Sequence, residues 1–265
     1  MQTDWVGTSS EITWPTEGQW IALNNGKAET DNDGGNGALD FVGDSTNPGF
    51  YYAASSSYVF FRMRLDLDVI NKTTGNTPPN AAIGILIDST GDKQIDYGFT
   101  WDTANYKNVA VHGLEMQVYD AAGSGGVSWG EKEMNDTDGD PATKSTLDIN
   151  GAGRSGDGYI RSTDGLSSGS FGTTSLIDFA VKWSYLSANS GTGLNITQTW
   201  NITASTILTG NDHSRINGDI MGGPLTDTVT TSGAWNSITF SPIPEPTSSL
   251  VGILITAGVL RRRRE

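Results

Sequence analysis

Three groups of aspartates are the residues best placed to do chemistry. Asp88, Asp92 and Asp96 flank a Gly91 turn directly after an apolar run. Asp136, Asp138 and Asp140 form D-T-D-G-D, and Asp31 and Asp33 precede Gly34–Gly35. Calcium takes about six to eight oxygen ligands from carboxylates, carbonyls and water, and flexible loops with alternating Asp can supply them. None of the three completes an EF-hand loop: D-T-D-G-D has its Gly too early and Leu147 where a bidentate Glu belongs. The same residues also suit turn capping, in which Asp side chains accept hydrogen bonds from loop amides. Calcium binding and capping both fit. The Asp88–Asp96 loop is the first place to look for calcium, because a strand ahead of it would position the ligands.

The other reactive types are scarce. The chain has no cysteine, which excludes disulfides, thiolate zinc sites and a cysteine nucleophile. Its two histidines are His112, in V-H-G-L-E, and His213, in N-D-H-S-R. Neither spacing builds a triad, and no G-x-S-x-G elbow is present. The chain therefore reads as a non-enzyme. A glycosidase with two carboxylates ~5–10 Å apart leaves no sequence signature and stands as the third reading.

Aromatics could serve recognition. Trp5, Trp14, Trp20, Trp101, Trp129 and Trp235 lie outside the strongest core patterns. An exposed indole stacks on the apolar face of a sugar ring, although core packing is the commoner role of any one aromatic. Trp129, in the loop V-S-W-G, is the ligand-binding candidate. The net charge of −14 would repel phosphate backbones, so nucleic acid is not an expected partner. Divalent cations are natural partners for such a chain, and solubility is the plainer use of the charge.

The chain's end has an ordered composition. Pro244–Glu245–Pro246 is a rigid, non-helical element. Thr247 to Leu260 is uncharged and mostly apolar, and Arg261, Arg262, Arg263 and Arg264 follow. Such a segment would sit in a membrane with its arginines on the cytoplasmic side. It is shorter than the ~20 residues of a usual spanning helix, a gap that thinning and snorkelling arginines reduce. The other reading is a buried terminal helix, for which the arginine cluster has no use.

This tail resembles the PEP-CTERM sorting signal. The resemblance covers about the last two dozen residues and rests on the motif, the apolar span and the terminal arginines together. It implies recognition by an exosortase, a membrane protease-transpeptidase, with processing near Pro244–Glu245–Pro246 and loss of the apolar helix. It also implies a secretory leader. Residues 1–30 have neither a basic n-region nor an apolar h-region, so the leader is expected ahead of residue 1.

The elements that must carry these residues read as strands. From Val59 to Val69 odd positions are apolar and even ones largely polar, the pattern of a half-buried strand. Ile177, Phe179, Val181, Trp183 and Tyr185 alternate likewise, as do Leu194, Ile196, Trp200 and Ile202. Ala81 to Ile87 is continuously apolar, which suits a central strand covered on both faces. Leu114, Met116 and Val118 mark another strand, and Tyr97 to Trp101 a shorter one. Turn-forming clusters separate these runs. The expected fold is all-β: an antiparallel β-sandwich of jelly-roll type over 1–240, then a sorting segment with a short apolar helix over 241–265. A β-solenoid is the alternative and would show a repeat. Residues 120–175 are Gly- and Asp-rich and read as long surface loops or an insertion.

The body has a second resemblance. F-F-R-M-R-L-D, A-I-G-I-L-I-D-S-T-G-D-K-Q-I-D-Y and I-D-F-A-V-K-W-S-Y-L are similar in order to a β-sandwich of bacterial surface proteins related to family 9 carbohydrate-binding modules. The expectation is an exported cell-surface or matrix protein with a structural or adhesive role, held transiently in the inner membrane before processing. Extracellular polysaccharide is the partner such a role implies. The alternative is a carbohydrate-binding module with an exposed aromatic row.

Overall fold

The structure is a computed structural model that describes residues 2–6, 12–27, 29, 40–66, 82–93, 96–102, 114–118, 158–167, 173–189, 193–207, 219–222 and 235–243. These form two antiparallel sheets. The strands are β1 (Gln2–Val6), β2 (Ile21–Ala22), β3 (Phe50–Ala54), β4 (Tyr58–Leu65), β5 (Ala82–Asp88), β6 (Tyr97–Asp102), β7 (Leu114–Val118), β8 (Gly158–Ser167), β9 (Thr173–Lys182), β10 (Trp200–Ile207) and β11 (Asn236–Ile238). The first sheet has the order β1-β8-β9-β4-β3-β2 and the second β11-β10-β5-β6-β7.

Period-two patterning explains the main core. Val59, Phe61, Met63 and Leu65 of β4 and Ile177, Phe179 and Val181 of β9 form one wall. Ile83, Ile85 and Ile87 of β5, Phe99 of β6 and Trp200, Ile202 and Ala204 of β10 form the other. Phe61 and Phe99 meet across the sheets with ring centroids 6.0 Å apart. The continuous run of β5 sits in the middle of its sheet, and both Ile85 and Leu86 are buried, as a strand covered on both faces requires.

The two sheets are joined at both ends. At one end Trp183, Trp200 and Phe240 stack edge to face, with centroids 4.8 to 5.6 Å apart. The turn Ser55–Ser57 lies at this end and is fixed by Trp183, whose backbone and indole N–H groups donate to the carbonyls of Ser57 and Ser55. At the opposite end Phe41 bridges Leu65. There Asp219 accepts a 2.6 Å hydrogen bond from the Phe41 amide while its own backbone pairs with Thr206.

Three expectations need correction. First, β4 is not half-buried: Phe60, Arg62 and Arg64, on its outward face, are buried as well. A second cluster of Trp20, Ala53, Phe60, Tyr159 and Ala180, with Ile12, Trp14, Tyr51, Tyr58 and Ile243 packed on it, covers that face. Second, Leu194 and Ile196 belong to a turn and not to the strand that starts at Trp200. The Asn195 side-chain oxygen accepts from the amide and hydroxyl of Thr197. The Gln198 side chain in turn accepts from the Asn195 amide. Such local bonds compete with a ladder. Third, residues 120–175 are not all loop. β8 runs through them, pairing with β1 on one side and β9 on the other.

Candidate functional site

The acidic turn after β5 is ordered by its own carboxylates. Asp88 is fully buried, and its Oδ1 accepts from the amides of Gly91 at 2.6 Å and Thr90 at 3.1 Å and from the Thr90 hydroxyl. Its Oδ2 accepts from the Lys93 amide at 2.9 Å and from Nδ2 of Asn201, its neighbour across the β5–β10 ladder, at 3.2 Å. Asp96 closes the turn from the other side. Its Oδ2 accepts from the amide and hydroxyl of Ser89 and from the Thr90 amide, while its own amide donates to the Ile87 carbonyl. Gly91 and Lys93 adopt positive φ of 84° and 66°, which turns successive amides inward. Asp92 stands exposed at the tip.

This geometry is that of a capped turn. A cation approaching Asp88 would have to displace amide donors from both of its oxygens, at the cost of the hydrogen bonds that order the turn. Among the described residues no group of three His, Cys, Asp or Glu forms a metal-sized cluster.

Topology gathers other features at the same end of the sandwich. Asp88 pairs with Asn201, next to Trp200 of the aromatic trio. Val118 pairs with Tyr97 and Gly158 with Val181, so both points where the chain leaves and re-enters around 119–157 lie here. The strand β11 and the residues up to Ile243 also run to this end. Burial and the neighbouring Asp96 carboxylate hold the Tyr97 hydroxyl above the usual tyrosine range.

The outer face of the first sheet holds an ionic network that sequence reading missed. The Arg62 guanidinium donates to both oxygens of Asp178, at 2.7 and 3.0 Å, and to Glu17 at 2.9 Å. Arg161 donates to Asp178 Oδ2 at 2.6 Å. Each guanidinium also lies over an indole, Arg62 over Trp20 and Arg161 over Trp14, both at 4.3 Å. This network clamps the segment Ile12–Trp20 onto the sheet. Its signal in the sequence is an Arg at an even position of one strand pattern and an Asp at the matching position of another, which becomes informative only once β4 and β9 are known to pair.

The remaining sequence candidates lie outside the described residues: Asp31, Asp33, His112, Trp129, Asp136, Asp138, Asp140, His213, Pro244, Glu245, Pro246, the apolar stretch and Arg261 to Arg264. Ile21 is an exposed large hydrophobic residue, at the edge of the first sheet. No helix among the described residues is long and apolar enough to cross a membrane. No family model, curated protein or solved structure matches the chain.

Proposed function

We propose that the protein is an exported, non-catalytic component of the cell surface or extracellular matrix, sorted by an exosortase-type enzyme and serving a structural or adhesive role. The observation that carries this reading is the order Pro244–Glu245–Pro246, uncharged apolar stretch, Arg261–Arg264. In this reading the apolar stretch forms a short helix that holds the chain in the inner membrane until processing removes it. The body is a sandwich wound as a jelly roll. Chain passages between sheets after β4, β7 and β9 support that winding.

A structural role agrees with what the described side chains are used for. The aromatics fill two cores and the carboxylates of the acidic turn cap amides. Calcium at the acidic loops and polysaccharide as a partner belong to the same proposal, since either would strengthen a matrix component without catalysis.

The test is processing in a host that carries an exosortase. The chain behind a secretory leader is compared with a variant in which Pro244, Glu245 and Pro246 are all Ala, and intact masses are read from membrane and medium. The reading requires the parent to lose its apolar stretch and the variant to keep it. A parent that retains Arg261–Arg264 at the surface would remove the sorting function.

A further inference from the structure

We propose that, while the tail is in the membrane, the end of the sandwich that carries Ser55–Ser57 rests against the lipid headgroups. The inference rests on the sorting-tail reading above and adds to it an orientation and a contact surface.

The argument starts from how closely the chain is tied down before the tail. β11 pairs with β10, and Phe240 packs into the trio with Trp183 and Trp200. The Tyr52 hydroxyl donates to the Thr239 carbonyl. The Ile243 amide donates to the Ala54 carbonyl at 2.6 Å, and the Ile243 side chain packs on the outer-face cluster. The chain is thus part of the folded body up to Ile243. Thr247, where the apolar stretch begins, is four residues further on, a reach of at most ~14 Å even when fully extended. With the apolar stretch in the bilayer, the body has no slack to stand away from the surface. The end from which Ile243 departs must face it.

The composition of that end fits. On the Ile243 side of that end the stretches 52–61, 183–203 and 236–243 contain no charged residue, in a chain with 30 acidic ones. The turn there is Ser55–Ser56–Ser57, and Lys182, paired with Tyr58, is the adjoining charged residue on the first sheet. A hydroxyl-rich surface with a nearby cation can approach anionic headgroups without desolvating carboxylates or repelling the lipid. Asp92, Lys93 and Asp96 share this end on the second sheet, so lipid contact is expected on the Ile243 side. The opposite end carries Asp40, Asp44, Asp66 and Asp219.

The chain lacks cysteine, so single labels are simple to place. Ser56→Cys marks the proposed contact and Thr46→Cys the far end, and both positions are exposed. The full chain is reconstituted into phosphatidylcholine–phosphatidylglycerol vesicles containing a nickel-chelating lipid, and relaxation of each nitroxide by headgroup nickel is read by electron paramagnetic resonance. The proposal expects several-fold stronger relaxation at position 56 than at 46. Equal relaxation, or stronger relaxation at 46, overturns the orientation. Ser241→Cys against Ser45→Cys repeats the comparison should a label disturb either turn. Failure of the unlabelled chain to float with the vesicles would instead overturn the membrane-tail reading, and this proposal with it.

Discussion

Arg62 and Asp178 stand opposite each other in register across β4 and β9, and their side chains meet in two hydrogen bonds of 2.7 and 3.0 Å. Both are nearly buried, at 5% and 2% exposure. Arg161 adds a second cation on Asp178, and Glu17 a second anion on Arg62, so the four charges balance. Buried ions of this kind cost solvation, which the pairing and hydrogen bonds must offset. What the arrangement achieves is attachment: it holds Trp14 and Trp20, stacked under the two guanidinium groups, across the outer sheet face.

Removing the hub charge takes the Asp178 carboxylate from both arginines and leaves Arg62 with the exposed Glu17. Asp178→Asn is expected to destabilise the fold by roughly 3–5 kcal/mol, the usual cost of breaking a buried pair by deleting one partner. Glu17→Gln removes an ion whose side chain is 86% exposed, and its effect in the same urea titration should be small. Equal effects of the two substitutions would contradict the division between a buried hub and a solvated rim.

Asp88 supplies a test of capping against metal binding. Asp88→Ala leaves the amides of Gly91 and Lys93 without their acceptor, at a cost of about 1–3 kcal/mol. A cap loses this stability equally in chelator and in millimolar calcium. Calcium bound only to the native state would instead raise the parent's melting temperature by mass action. Thermal melts of the parent and of Asp88→Ala/Asp92→Ala decide between them: a calcium-dependent rise confined to the parent would place the metal at this turn.

Asp66 gives the stability a pH dependence. Its Oδ1 is buried without a hydrogen-bond partner, and burial raises its pKa above the ordinary 3.8. A carboxyl with a raised native pKa holds its proton more tightly when folded. Its contribution is therefore fully present below pH 3.8 and is lost as pH rises through the native value. Asp66→Asn should accordingly be more stable than the parent near neutrality, with the difference closing toward the acid end. Denaturant midpoints measured across that range check the sign; a difference that grows on acidification would refute it.

The knot near β3 leaves no room for a side chain. A Cβ on Gly43 would lie 2.2 Å from both the Gly26 carbonyl oxygen and the Gly49 nitrogen. Both neighbours are backbone atoms, and the Gly49 amide donates to the Gly26 carbonyl, so neither can yield cheaply. Gly43→Ala should cost about 3 kcal/mol or more, at or beyond the upper end for overpacking. Gly18, with nothing within 4 Å of a built Cβ, provides the neutral comparison. Similar melting of the two Ala variants would show that the knot relaxes.

Legibility in the sequence followed the amount of apolar patterning. β4, β5 and β9 were readable because long side chains repeat at period two or run unbroken. β8 was not: Gly158–Ser167 has one aliphatic pair separated by polar residues and glycine, and it exists as a strand because β1 and β9 flank it. β3 is hidden by the same rule, since Tyr51 and Tyr52 face different clusters. The acidic turn was visible as local spacing, whereas the bond from Asn201 to Asp88 spans 113 positions and follows from strand pairing alone. The buried Arg62 looked like a solvent-facing residue because nothing local reveals that Ile12–Trp20 covers it.

The residues before Pro244 give the last test. Phe240 closes the gap between Trp183 and Trp200, with centroids 5.0 and 4.8 Å away, although only three residues of ladder, Asn236–Ile238, precede it. Its removal opens the core at the seam between the sheets, so Phe240→Ala should destabilise by roughly 3–5 kcal/mol. A chain ending at residue 243 should melt above one ending at 240, because the latter lacks the Ile243 amide bond to Ala54 and the Ile243 contact on the outer cluster. Calorimetry on the two truncations and the point variant measures both effects. Matching transitions for 1–240 and 1–243 would mean that the folded body ends at Phe240 and that Ile243 belongs functionally to the tail.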